Sequence, residues 1–495
     1  MSFFPSREPA STDAFINGTS RILADLKDPR VFNAQTCFSY IDNLTTSLFN
    51  LPTDYFFPKS ESQSSALKTQ GPQVLKNLFN SRHELHLKLQ EFSAKGQLSL
   101  QCVNAIREGK QYIRYAEDFL IEWLIENDVY ENQSPQILAD VFPYTLKVDR
   151  EQNLNLKAGD VLLVRGKSYI SAMIARIGDE EGNFSHMAIV GEDKNGNLHV
   201  AESLIQKGLI VTPLAKWLKD QDARVALYRY QDSVVAQKAA REIYDHAMSY
   251  INRGTTKRYD FSMNDGDDNE FFCSEVIGWA YKKASNGQIV LPQFRSQTTK
   301  FENTDFFESL LIKKGDLFAP FDIEVDSRFD FIAEYRYLPL LRQVRMQDSV
   351  LQSIYKWMSE KNYDFYATPD KSIKAVLAKI LRQFGLVQDK LPTYMPYKTL
   401  LTTLKYEGVA TALEKNIYKI EREYYDKNGH SLAFKDLMEI NENYRIQDCE
   451  IERAYQRASK NNIASTTEIK NKPSSLQPSE FHWFFNNRKA TNCVE

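Results

Sequence analysis

Apolar positions recur along this chain in two textures. Between Ala66 and about Asn127 they return at helical spacing, first as Leu67, Val74, Leu75, Leu78 and Phe79, then as Leu85, Leu87, Leu89 and Phe92. A third set, Ile106, Tyr112, Ile113, Phe119, Leu120 and Trp123, follows the break at Gly96. This predicts an antiparallel helical hairpin or small bundle, an accessory layer rather than a core domain. The preceding residues, 1 to about 65, are mixed and rich in Ser, Asn, Thr and aromatics, with one periodic stretch from Asp13 to Leu26. From Pro143 to about Arg342 the texture changes to short β-branched segments between turn residues. Helical spacing returns beyond Arg345, with Val350, Leu351, Ile354, Tyr355 and Met358 in one segment and Ile373, Val376, Leu377, Ile380 and Leu381 in another. Residues 459 to 480 are polar and Pro/Ser-rich and read as a disordered linker. The tail Phe481-His482-Trp483-Phe484-Phe485 reads as an apolar plug or docking peptide. Four regions result: 1–142 with the helical hairpin at 66–127, a mixed strand-and-helix unit at 143–345, a helical region at 346–458, and the linker and tail at 459–495.

Composition narrows the partners. The 495 residues carry 62 basic and 65 acidic side chains, a net charge of -3, so no global field favours nucleic acid or an anionic membrane. The start, Met1-Ser2-Phe3-Phe4-Pro5-Ser6-Arg7-Glu8, shows no basic segment followed by an apolar run, and no stretch of about 18 apolar residues occurs that could form a spanning helix. A cytoplasmic protein, or one leaving the cytosol by a signal-peptide-independent route, is expected. The five cysteines, Cys37, Cys102, Cys273, Cys449 and Cys493, are odd in number and scattered, which reads as neither a disulfide framework nor a metal pattern and suits a reducing compartment. His83 and His86 lie three apart on the predicted hairpin, but no third ligand is near, so a surface or packing role is expected.

The chemistry concentrates between Gly159 and Tyr281. Phe184-Ser185-His186-Met187-Ala188-Ile189-Val190 reads as a strand bearing a histidine, and Leu198-His199-Val200-Ala201-Glu202 as its hairpin partner across the turn at Asn195-Gly196. Phe271-Phe272-Cys273-Ser274-Glu275 places a cysteine where a helix begins, because Val276, Ile277, Ala280 and Tyr281 recur at helical spacing. A thiol at a helix N-terminus meets unpaired N–H groups and the positive end of the dipole, which favour the nucleophilic thiolate. Taken singly, a histidine on an apolar strand is a structural residue and a lone cysteine a small buried hydrophobe. Together with a carboxylate in hairpin range they form a nucleophile, a base and an orienting group. The arrangement makes a demand on register. A two-residue turn would pair Ile189 with Glu202 and put the carboxylate on the face opposite His186; an odd loop or bulge would pair Ala188 with Glu202 and bring both to one face. A three-residue or bulged turn is therefore predicted. His199 is the rival base, on the face opposite Glu202.

The ordered set Gly159-Asp160-Val161-Leu162-Leu163, Ser185-His186-Met187-Ala188-Ile189-Val190, Val200-Ala201-Glu202, Thr212-Pro213-Leu214, Tyr259-Asp260 and Phe272-Cys273-Ser274-Glu275-Val276 resembles the YiiX/YebB-like family of permuted papain-like cysteine hydrolases, relatives of the NlpC-type amidases. The resemblance covers roughly residues 155 to 340. It implies an α+β fold, a permuted papain-like antiparallel sheet plus helices, here flanked by N- and C-terminal helical regions. It also implies Cys273 as nucleophile, His186 as base, Glu202 as the residue orienting the histidine, and the Cys273 N–H as the first oxyanion donor. No metal or cofactor is called for.

The expected activity is that of a cysteine amidase or peptidase working through a thioester on a peptide, protein or lipid-like acyl substrate. Two alternatives stay open: a lipid acyltransferase or phospholipase like lecithin retinol acyltransferase, and a non-catalytic papain-like binding module. The helical flanks suit recognition of a macromolecule, including a protein partner; no nucleic-acid partner and no integral membrane segment are expected.

Overall fold

The computed structural model describes residues 12–58, 60–130, 136–138, 145–147, 155–220, 222–264, 266, 268–299, 306–312, 315–366, 395–464 and 479–494. The N-terminal region holds helices α1 (Thr12–Lys27), α2 (Cys37–Phe49), the short α3 (Thr53–Phe56), α4 (Glu61–Ala94) and α5 (Leu100–Glu126). The two periodic segments before Gly96 are one helix, α4, which continues through Pro72. Gly96, at φ +66, ends the run as expected, because an L side chain rarely adopts that conformation. Helix α2 escapes the sequence pattern: Cys37, Tyr40, Ile41, Leu44 and Leu48 are buried at helical spacing but are diluted by Ser, Asn and Thr, which favour helices weakly.

Strands β1 (Gln136–Leu138), β2 (Thr145–Lys147), β3 (Val161–Arg165), β4 (His186–Glu192), β5 (Leu198–Leu204), β6 (Gly208–Pro213), β7 (Arg224–Tyr230) and, after the two-residue strands β8 (Ser296–Gln297) and β9 (Asp316–Leu317), β10 (Phe329–Arg336) supply the main sheet. Its order is β1-β2-β10-β7-β3-β4-β5-β6. Every pairing in it is antiparallel except β2 with β10. Helix α6 (Tyr169–Ile174) follows β3, α7 (Leu214–Trp217) follows β6, α8 (Ser233–Ile251) follows β7, and α9 (Cys273–Ala284) comes before β8. Alternation along the strands gives the sheet two apolar faces. Val161, Leu163, Met187, Ile189, Ala201 and Ala226 join α8, α9 and the N-terminal helices in one core. Leu162, Val164, Ala188, Val190, Val200 and Leu227 form a second with Trp217 of α7.

The N-terminal helices dock on the sheet through buried charge. Glu334 of β10 meets Arg82 Nη1 (2.7 Å), Arg114 Nε (3.2 Å), Arg336 Nη2 (2.9 Å) and Arg224 Nε (3.3 Å). Glu117 of α5 pairs with Arg82 and Arg336, Asp118 with Arg336 and Arg224, and Glu324 with Arg114. Burial alone would push the Glu334 carboxyl up, but Arg114, Arg82, Arg336 and Arg224 hold it well below the usual range. His86 lies within this interface, its Nε2 2.7 Å from the Phe329 carbonyl and its Nδ1 3.1 Å from Lys110 Nζ. His83 is buried as well. Both have packing roles, and among the described residues no cluster of His, Cys, Asp and Glu is arranged to hold a metal ion.

The C-terminal region holds α11 (Leu338–Glu360), reached after α10 (Phe306–Leu310), together with α12 (Tyr397–Asn428) and α13 (Phe434–Ala464). Asp348 of α11 ties it to the central unit by accepting from Arg165 (2.7 Å) and Arg176 (2.9 Å). The expected segment from Ile373 to Leu381 lies outside the described residues, as do residues 465–478 of the expected linker. Residues 459–464 are the last turns of α13 rather than linker, because the Pro/Ser cluster begins only at Pro473. In the tail, Phe481 and Phe485 are fully buried, and β12 (Phe485–Asn486) pairs with β11 (Asp364–Phe365).

The cysteine reading needs correction. Cys37 is bonded to Cys102, joining α2 to α5, and Cys449 to Cys493, fastening the tail to α13. The partners are 65 and 44 residues apart, so spacing carries no sign of the pairing. The expectation of a reducing compartment thereby loses its premise. No helix among the described residues is long and apolar enough to cross a membrane.

Because Glu334 neutralises several buried guanidiniums, Glu334→Gln is expected to lower the unfolding free energy by about 3–5 kcal/mol. Removing the exposed Lys356–Glu360 pair, at 3.9 Å, is expected to change it by less than about 0.5 kcal/mol. Urea unfolding of the two variants, followed by circular dichroism, compares them.

Candidate active site

The Gly159-Asp160 pair shapes the base of the site without reaching it. Gly159 sits at φ +87, and a Cβ there would lie 2.3 Å from the Ala236 carbonyl, so β3 can start under α8 only with glycine. Asp160 accepts from the Lys157 N–H (2.7 Å) and from Arg229 (2.7 and 2.8 Å), which fixes the turn into β3. The Tyr281 hydroxyl donates to the Gly159 carbonyl at 2.7 Å and so anchors α9 to the same corner.

Helix α9 starts at Cys273, as the apolar spacing predicts, and buries Val276, Ile277, Ala280, Tyr281 and Ala284 against the sheet. The capping position is Phe272, whose side chain cannot accept a hydrogen bond, so the cap residue's side chain occupies none of the N–H groups of the first turn. The approach to Cys273 is built by Asp260, which accepts from the Ser262 N–H (2.7 Å), the Ser262 hydroxyl (2.6 Å) and the Asn264 N–H (2.8 Å). The Phe271 N–H then bonds the Arg258 carbonyl at 3.0 Å.

Strands β4 and β5 hold the other two candidates. Their ladder pairs Glu192 with Leu198, Gly191 with His199, Val190 with Val200 and Ile189 with Ala201. Asp193 and Asn197 close the turn beyond it, leaving Lys194, Asn195 and Gly196 as the loop, with Gly196 at φ +83. This is the odd loop that parity demands, and continuing the register sets Ala188 opposite Glu202. His186 and Glu202 therefore share a face, and His186 Nε2 lies 2.7 Å from Glu202 Oε2. His199 points elsewhere, with its Nδ1 3.1 Å from the Asn197 carbonyl and its ring against Tyr244.

The ladder between β4 and β5 ends at Ile189–Ala201, three residues short of His186. The chain leading into α9 fills the opening: the Ser203 hydroxyl of β5 donates to the Phe271 carbonyl at 2.5 Å, and the Met187 N–H of β4 reaches the Cys273 thiol. His186 completes the contact. Because its Nε2 is taken by Glu202, Nδ1 is the nitrogen that faces sulfur.

Electrostatics follow from these contacts. Burial opposes ionisation of the Cys273 thiol, but the hydrogen bond and charge of His186, the Met187 N–H and the Ser274 hydroxyl outweigh it and hold the thiol below its ordinary value. Burial likewise works against a charged His186, yet its bonds to Cys273 and Glu202, reinforced by their charges, push it up to about 10. Both shifts run in the direction of a thiolate beside an imidazolium. One contact is not legible in the sequence: the Trp217 indole N–H of α7 donates to Glu202 Oε1 at 3.1 Å. A single tryptophan four residues beyond Pro213 is the whole signal.

Residues 155–306 match the family described as permuted papain-like amidase enzymes of the YaeF/YiiX, C92 family. This segment has the permuted papain-like α+β fold, with the flanking helical regions outside the match. No curated protein and no solved structure matches the chain significantly.

Cys273 is the one cysteine outside a disulfide. Iodoacetamide applied at pH about 6 without reductant is expected to label it alone, because its thiolate persists below the ordinary thiol range of about 8.5. Peptide mapping checks this; modification elsewhere, or none before pH about 8, contradicts the electrostatic account.

Proposed function

Starting from the match of residues 155–306 to a permuted papain-like amidase family, we propose that this protein is a cysteine hydrolase cleaving amide bonds, with Cys273 as nucleophile, His186 as acid and base, and Glu202 as the group that orients His186. The observation that carries the reading is the 2.7 Å bond from His186 to Glu202 beside a thiol at the first position of a helix.

The Cys273 thiolate attacks the substrate carbonyl carbon and forms a C–S bond, while the carbonyl oxygen takes up the negative charge. The Cys273 N–H, in the first turn of α9, serves in this reading as the donor to that oxygen, a role supported by the absence of a side-chain cap at Phe272. As the tetrahedral intermediate collapses the C–N bond breaks, and His186 passes its Nδ1 proton to the departing amine. Neutral His186 then takes a proton from water, whose oxygen attacks the thioester carbonyl. The C–S bond breaks, the acid leaves, and thiolate and imidazolium are restored. Glu202, accepting at Nε2, keeps the ring in the tautomer and orientation both steps require.

The test uses a thiol-directed activity probe and panels of amide, isopeptide and ester substrates with wild type, Cys273→Ala and Glu202→Gln. Cys273→Ala is expected to abolish probe labelling and lower turnover by at least about a thousandfold. Glu202→Gln should fold normally and lose about ten- to a hundredfold, since it retains the nucleophile but not the charge that stabilises the imidazolium. Amide turnover should also fall at high pH as His186 loses its proton near 10. Turnover that survives Cys273→Ala would sink the proposal.

A further inference from the structure

Glu202 is only 6 % exposed, and a carboxylate that far from water needs donors on both oxygens. Oε2 faces His186 and Oε1 accepts from Trp217. An indole N–H can only donate, so the bond from Trp217 has one polarity whatever the protonation of its neighbours. Trp217 is 4 % exposed and packs in the core formed by Ala188, Val190 and Val200, on the sheet face that carries His186 and Glu202. Its helix starts straight after Pro213, which pairs with His199, so the register of β5 and β6 sets where the indole stands.

We propose that Trp217 is a positioning residue of the active site: by fixing Oε1 it holds the Glu202 carboxylate in the rotamer that directs Oε2 at His186. This rests on the reading of Cys273, His186 and Glu202 as the reacting set. Packing alone would not require the donor. Phenylalanine would fill the same apolar space, but Oε1 would then be left to water or to a rotated carboxylate. Among the described residues the ionisable group bonded to Glu202 is His186 of β4, which in turn contacts Cys273 of α9. Strand β6 sets Ile210 opposite it in the ladder, and Lys216 of α7 is exposed.

The experiment follows Cys273 directly, so no substrate need be known. Iodoacetamide alkylation rates are measured from pH about 5 to 10 for wild type, Trp217→Phe, His186→Gln, Glu202→Gln and the Trp217→Phe/Glu202→Gln double variant. Trp217→Phe is expected to slow alkylation at pH about 6 by about three- to thirtyfold and to move the midpoint upward, because a loosened Glu202 holds the imidazolium less well. In the Glu202→Gln background the same change should have little further effect. Unchanged rates in Trp217→Phe alongside slowed alkylation in His186→Gln overturn the role of Trp217 and leave the triad standing. Unchanged rates in both overturn the triad and this inference with it. A lower melting temperature for Trp217→Phe with an unmoved midpoint marks a packing role and also overturns it. If Trp217→Phe does not fold, the indole N–H resonances of the intact enzyme decide: one of them should shift in Glu202→Gln, and no shift rejects the proposal.

Discussion

The pairing of Glu334 with Arg82, Arg114, Arg224 and Arg336 joins what would otherwise be separate layers. Arg82 and Arg114 come from the N-terminal helical hairpin, Arg224 from β7, and Glu334 and Arg336 from β10. Leaving any one of these charges buried alone would cost several kcal/mol, so helices and sheet are stable together rather than apart. Strand β7, locked at this junction, pairs with β3, and β3 pairs with the beginning of β4. The backbone of His186 is thus the far end of a rigid run that starts in buried charge.

The other edge of His186 is unpaired by design of the ladder. A strand pair zipped to its end would have satisfied the Met187 N–H with backbone and left no room for a helix terminus. Ending the β4–β5 ladder at Ile189–Ala201 releases that N–H, and the start of α9 enters where β5 departs. One local irregularity in an otherwise regular sheet brings together a thiol, an imidazole and a carboxylate that lie far apart in sequence. It also explains why the site needs Ser203, whose hydroxyl holds Phe271 in the opening.

The local parts of this arrangement could be read in the chain. Strand parity required an odd turn between β4 and β5, and helical spacing placed Cys273 at a helix start. The α+β class and the family resemblance followed from the ordered motifs, and the match over residues 155–306 agrees with them. The non-local parts could not be read. Arg82, Arg107, Arg114, Glu117 and Asp118 give α4 and α5 a polar face, and hydropathy does not distinguish a polar face turned to water from one covered by complementary charge. Trp217 has meaning only once β6 delivers it beside Glu202. The disulfides join residues whose separation carries no pattern, and the dilution of α2 by weak helix formers hid the helix that one of them holds.

The pairing of the cysteines bears on how this enzyme would meet peroxide. Oxidants attack thiolates, so the environment that lowers the Cys273 thiol also exposes it to conversion to a sulfenic acid. Many proteins arrest that damage by condensing the sulfenic acid with a second thiol of the same chain. Here Cys37, Cys102, Cys449 and Cys493 are committed to one another, and no resolving thiol remains. Recovery of Cys273, itself only 3 % exposed, then depends on a small external thiol; failing that, further oxidation is irreversible.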